Sequence, residues 1–133
     1  MATTTATLTI SSADLTSNPL SITTSSTLYK AGTTIGLEQT TGLAKKVYAA
    51  AQSNTTLISA GDFADDTHSR IYIRNSGSST TDFFTVTIAS GNSVIGRLYG
   101  GDFLFIPYEG EEDIDISSSA TNMELEFMVI NEG

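Results

Sequence analysis

The sequence predicts an all-β protein, an antiparallel β-sandwich of jelly-roll type. Three observations predict it. Between Arg70 and Pro107, short apolar runs follow one another, each rich in β-branched and aromatic residues and closed by Gly, Asn or Pro. Thr and Ser together supply 38 of the 133 residues. Thr suits a strand with one wet face, because its β-branch restricts χ1 while its hydroxyl meets water. The hydrophobic fraction, 39%, is too high for a disordered stalk, so the hydroxyl-rich stretches belong to sheet. Eight to ten short strands do not make a comfortable flat sheet. Two packed sheets, or a closed barrel, bury their inward faces.

Taken in order, Thr3–Ile10 alternates, with Thr5, Thr7 and Thr9 on one side and Ala6, Leu8 and Ile10 on the other. Ser11–Pro19 is a turn region, and Leu20–Leu28 is a strand or an extended arm. Gly32, Gly36 and Gly42 break the next segment. Gly42–Ala51 is read as a strand, with a short helix as the competing assignment because Ala and Lys favour one. Thr55–Ser59 is a further strand, and Gly61–Ser69 a polar loop. In Arg70–Arg74, Ile71 and Ile73 face the core. In Phe84–Ile88, Phe84, Val86 and Ile88 face it, and Thr85 and Thr87 face outward. Phe103–Ile106 is apolar on both faces, which predicts a central strand covered by a second layer. Met123–Ile130 begins with strict alternation and ends wholly apolar, as a closing strand would.

Charge divides the chain. Residues 1–61 carry two acids and three bases, whereas residues 62–133 carry thirteen acids and three arginines. The net charge of −9 disfavours nucleic acid and anionic lipid as partners. No apolar stretch approaches membrane-spanning length, and no basic segment followed by an apolar one marks a secretory signal. The chain has no cysteine, hence no disulfide framework and no thiolate chemistry. The expected organisation is an N-terminal strand or arm over residues 1–30 and a sandwich over 31–133, or one domain throughout. The near-neutral arm desolvates little charge when it docks on another chain. Its candidate contact residues are Thr5, Thr7, Leu8, Ile10, Leu20 and Ile22.

Candidate chemistry is sparse. Asp62, Asp65, Asp66 and the single histidine, His68, put oxygen ligands near an imidazole, but without the order or the turn glycine of a calcium loop. A solvated loop is the better reading. Glu109, Glu111, Glu112, Asp113 and Asp115 form an acidic run, read as like charges that discourage edge-to-edge sheet association. A hydrolase using His68 and these carboxylates needs a pocket to split their pKa values, which the sequence does not supply. No catalytic, cofactor-binding or metal residue is therefore assigned. Tyr72, Arg74, Arg97, Tyr99 and Tyr108 are the candidate ligand face, since rings stack on sugars and guanidinium groups donate to them.

The segments Arg70-Ile-Tyr-Ile-Arg-Asn-Ser-Gly77, Phe84-Thr-Val-Thr-Ile88 and Leu98-Tyr-Gly-Gly-Asp-Phe-Leu-Phe-Ile-Pro107 resemble small all-β virion proteins of tailed bacteriophages. The resemblance covers about residues 70–130. It implies a non-enzymatic decoration, cement, head–tail or tail component, a homo-oligomer, and a trimer by analogy. It also implies contact with other virion proteins such as the major capsid protein, and assembly in the host cytoplasm. The alternative is a carbohydrate- or receptor-binding sandwich of the tail-fibre kind.

Overall fold

The computed structural model describes residues 3–63, 68–89 and 91–132. The fold is all-β, and every strand pairing is antiparallel. Eleven strands run in chain order among the described residues: β1 Thr5–Ser12, β2 Leu20–Thr27, β3 Gln39–Thr40, β4 Ala44–Tyr48, β5 Thr55–Ile58, β6 Ser69–Asn75, β7 Phe83–Ile88, β8 Ser93–Tyr99, β9 Phe103–Tyr108, β10 Ile114–Ser118 and β11 Met123–Asn131. The count exceeds the expected eight to ten because β3 is a two-residue strand of polar residues with no alternation to read. Within Gly42–Ala51, Ala44–Tyr48 forms the strand β4, since pairing with Met123–Phe127 outweighs the helix propensity of Ala and Lys.

The chain forms two compact units, Met1–Glu38 and Gln39–Gly133. In the first, β1 and β2 make an isolated hairpin from Thr5↔Thr27 to Ser12↔Leu20. A second tight turn follows, in which the Lys30 N–H donates to the Ile35 carbonyl at 2.7 Å and the Leu37 N–H to that of Leu28 at 3.0 Å.

In the second unit, strands β4 to β11 pair as one long hairpin would: β7 with β8, β6 with β9, β5 with β10, and β4 with β11. Two further pairings, β10 with β7 and β11 with β6, gather them into sheets. One sheet runs β5-β10-β7-β8; the other runs β3-β11-β6-β9, with β4 also on β11. The core draws on both. Ile71 and Ile73 of β6 and Leu125 and Val129 of β11 meet Phe84 and Val86 of β7 and Ile114 and Ile116 of β10, all fully buried. These positions alternate with wetter ones along β6 and β7, as the pleat requires.

Two local devices hold the ends together, one at each. Asn75, buried at the end of β6, donates from Nδ2 to the Leu98 carbonyl of β8 at 2.9 Å and accepts the Gly77 N–H at 3.0 Å. At the other, Gly110 has φ +83°, and a Cβ there would lie 1.9 Å from the Phe63 carbonyl oxygen. Only glycine fits that approach.

Three expectations are corrected. Phe103–Ile106 is not a central strand: β9 ends its sheet, and Phe103 and Phe105 are exposed. Pro107 explains it, because a residue without an N–H is confined to sheet edges. Asp115 does not belong to a solvated acidic run; it lies in β10 between β5 and β7 and is 3% exposed. Thr87, expected on a wet face, sits opposite it and is also buried.

Candidate functional site

The hairpin forms because β1 and β2 are rich in Thr and Ile, which favour extended backbone, and because the turn between them is locally satisfied. The Ser12 hydroxyl oxygen accepts the backbone N–H groups of Leu15 at 3.0 Å and Asp14 at 3.3 Å. Register then sorts the side chains. Ala6, Leu8, Ile10, Leu20 and Ile22 share one face with Ser12, Thr24 and Ser26. The opposite face is Thr5, Thr7, Thr9, Ser11, Ser21, Thr23, Ser25 and Thr27, hydroxyl residues throughout. Thr7 and Ser25 are hydrogen-bonded across it at 2.9 Å.

Within the unit Met1–Glu38, no described strand packs on the apolar face. Leu8 is 47% exposed, Ile10 43% and Ile22 41%. A two-stranded hairpin is marginal by itself, and this one carries its aliphatic row as exposed surface. Of the six residues expected to make contacts, Leu8, Ile10, Leu20 and Ile22 come together on this face, while Thr5 and Thr7 point to the other.

The expected ligand face does not form one surface. Tyr72 and Arg74 lie on β6; the Tyr72 hydroxyl donates to Glu126 Oε1 at 2.9 Å, and Arg74 pairs with the same oxygen at 3.7 Å. Burial, the hydrogen bond to Glu126 and its charge hold the Tyr72 phenol above its ordinary pKa. Arg97 and Tyr99 lie on β8, in the other sheet. The Arg97 guanidinium sits 4.2 Å over the Phe83 ring, and Tyr99 stacks beside Phe83 at 5.2 Å. Tyr108 is inside the core, its hydroxyl donating to the Glu112 carbonyl at 2.7 Å. Burial pushes its phenol up to about 12, with the carboxylates of Asp113, Asp62 and Glu112 adding to the effect.

The acidic residues are likewise dispersed in role. Asp113 Oδ1 accepts the Ala60 N–H at 2.8 Å, which ties the loop after β9 to the turn after β5. The His68 N–H donates to Glu132 Oε2 at 3.1 Å. Asp65 and Asp66 lie outside the described residues. Among the described residues no three His, Cys, Asp or Glu side chains gather as metal ligands do. A half-open depression of about 320 Å³ is lined by Asn75–Ser79, Asp82 and Thr121–Glu124. Among the described residues no helix is long and apolar enough to cross a membrane.

Sequence reasoning missed the outward row of β9. Phe103 is 57% exposed and Phe105 39%, beside Tyr72 of β6 and Met128 of β11. Pro107 was the available signal for the edge position of β9, since a residue without an N–H cannot donate to a further strand.

No family model, curated protein or solved structure matches this chain.

Proposed function

We propose that this chain is a non-enzymatic virion structural protein, a decoration, cement or head–tail component, whose body is a jelly-roll β-sandwich and whose hairpin is the arm that binds a neighbouring subunit. The observation that carries the reading is the uncovered aliphatic face of the hairpin, on a unit with one acid in its first twenty-seven residues. An arm of this kind docks without stripping water from charges. The jelly-roll assignment rests on the nested pairings of β4 to β11, which describe a long hairpin rolled up, with the orders β4-β11-β6-β9 and β5-β10-β7-β8. Jelly rolls serve as capsid and lectin domains alike, so the fold supports a structural role without specifying it.

The test removes residues 3–27 and measures mass by light scattering beside circular dichroism. The expected result is a folded β protein of lower mass that no longer joins its particle. Unchanged mass and unchanged attachment would sink the proposal. A second reading, a carbohydrate- or receptor-binding module, draws on the depression lined by Ser76, Ser78, Ser79, Asp82 and Asn122. It requires glycan binding that Asp82→Ala abolishes.

A further inference from the structure

We infer that the half-open depression beside the β6–β7 loop binds a neutral saccharide unit, and that the carboxylates of Asp82 and Glu124 accept hydrogen bonds from its hydroxyl groups. The site is that of the carbohydrate-binding reading, on which this assignment rests; the arm plays no part in it.

The walls are built before any ligand arrives. One wall is the loop between β6 and β7, and the other is the turn between β10 and β11 with the start of β11. The Ser76 N–H donates to the Glu124 carbonyl at 3.2 Å, which ties the two walls together. The Ser79 hydroxyl oxygen accepts the N–H groups of Asp82 at 3.0 Å and Thr81 at 3.2 Å. The Ser79 carbonyl accepts the Gly100 N–H at 2.9 Å, and a Cβ on Gly100 would lie 2.6 Å from that oxygen. The loop therefore rests directly on glycine backbone. Across the depression, the Asn122 N–H donates to the Ala49 carbonyl at 3.3 Å. Backbone groups of both walls are thus engaged by the protein, and a ligand does not have to order them.

The lining then sets the chemistry. It holds two carboxylates, four hydroxyl side chains and two amides, with Met123 as its one apolar side chain and no Lys, Arg or His. Among the described residues, the Asp82 carboxylate and the side chains of Ser78, Thr121 and Asn122 make no hydrogen bond to protein. Glu124 differs: its Oε1 accepts the Ser76 hydroxyl at 3.1 Å and lies 3.4 Å from Lys45 Nζ. Hydroxyl and amide groups both donate and accept, so they match a ligand whose groups do both, and a carboxylate accepts from two neighbouring hydroxyls at once. The volume, about 320 Å³, is at the small end of ligand pockets, which run from about 300 to 1,000 Å³.

Other ligand classes fit less well. Two carboxylates in a chain of net charge −9 oppose a sialic acid, a uronate or a phosphorylated sugar. A calcium ion takes six to eight oxygen ligands, and here Lys45 and Ser76 already occupy one oxygen of Glu124. An apolar ligand would find Met123 alone. With no aromatic ring to stack on, affinity rests on hydrogen bonds and is weak for one site, with repetition across an assembly to raise it.

The test follows the backbone amides of the isotope-labelled full chain by nuclear magnetic resonance. Galactose, glucose, mannose and N-acetylglucosamine are each titrated to roughly 100 mM, far above a dissociation constant on the order of 1 mM. N-acetylneuraminate and glucuronate are titrated beside them. At least one neutral sugar is expected to shift the amides of Ser76–Ser79, Asp82 and Thr121–Glu124, leaving those of Glu109–Glu112 in place, while the two anionic sugars shift neither group. Asp82→Asn keeps the shape and removes the charge, and is expected to weaken that binding at least about tenfold with the remaining spectrum unchanged. Glu109→Gln, an exposed acid outside the depression, is expected to have no effect. Shifts of the depression by the anionic sugars and not by the neutral ones would overturn the neutral assignment and leave the carbohydrate-binding reading standing. So would neutral binding that Asp82→Asn leaves unaltered. Calcium chloride or spermidine shifting the same amides at lower concentration than any sugar would make the depression a cation site and overturn the inference. No shift with any sugar would sink both this assignment and the carbohydrate-binding reading.

Discussion

Asn75 and Tyr108 show how single buried polar side chains tie this molecule together. Asn75 is 3% exposed and satisfies the Leu98 carbonyl across to the other sheet, so Asn75→Ala leaves that carbonyl without its partner. The expected cost is about 1–3 kcal/mol, read from the shift in the urea midpoint. Tyr108 gives a pH signature. Its phenol ionises near pH 10 in the unfolded chain and at about 12 in the folded one. Between those values the folded state holds a proton that the unfolded state has released. Its contribution is therefore complete below pH 10 and is lost as the pH rises to 12. Tyr48 and Tyr72, also raised, act in the same direction. Denaturation followed from pH 9 to 12 is expected to show a falling stability that Tyr108→Phe flattens in part. An unaltered slope would place the phenol in water.

At the scale of elements, the two units differ in what supports them. Every member of the main apolar cluster lies within Gln39–Gly133, from Leu57 to Val129. A chain beginning at Gln39 is expected to fold alone and to melt cooperatively, monitored by far-ultraviolet circular dichroism. Loss of sheet in that fragment would mean that the body depends on its first unit. The hairpin has no such store of buried side chains, since both its faces meet solvent through most of its length. Burial of its aliphatic row on a partner gives at most about 25 cal/mol for each Å² removed from water, which several repeated contacts must supply together.

Across the whole molecule, charge sets the terms of association. A chain of net charge −9 repels its copies, and the proposed contact contains little charge of its own. Added salt shortens the screening length from about 30 Å at 0.01 M to about 10 Å at 0.1 M. Assembly is therefore expected to strengthen with ionic strength over that range, measured by sedimentation. Assembly that weakens with salt would point to a contact held by ion pairs, which an aliphatic arm does not make.

The sequence by itself determined the all-β, antiparallel class, the alternation that sends Ile71, Ile73, Phe84 and Val86 inward, and the aliphatic row of β1. These follow from period-2 patterning, which is local and survives in any sheet arrangement. Pairing decided the rest. Whether Phe103 and Phe105 lie in the middle of a sheet or at its edge depends on which strands flank β9, and strand order is a long-range property that no window of residues carries. Asp115 reads as one more acid in a charged run until β5 and β7 close over it. Tyr72, Arg97 and Tyr108 read as one aromatic face until two sheets and a core divide them. Only the register of β1 on β2 separates the aliphatic face from the hydroxyl face, because it fixes which residues of the second strand stand beside Leu8 and Ile10.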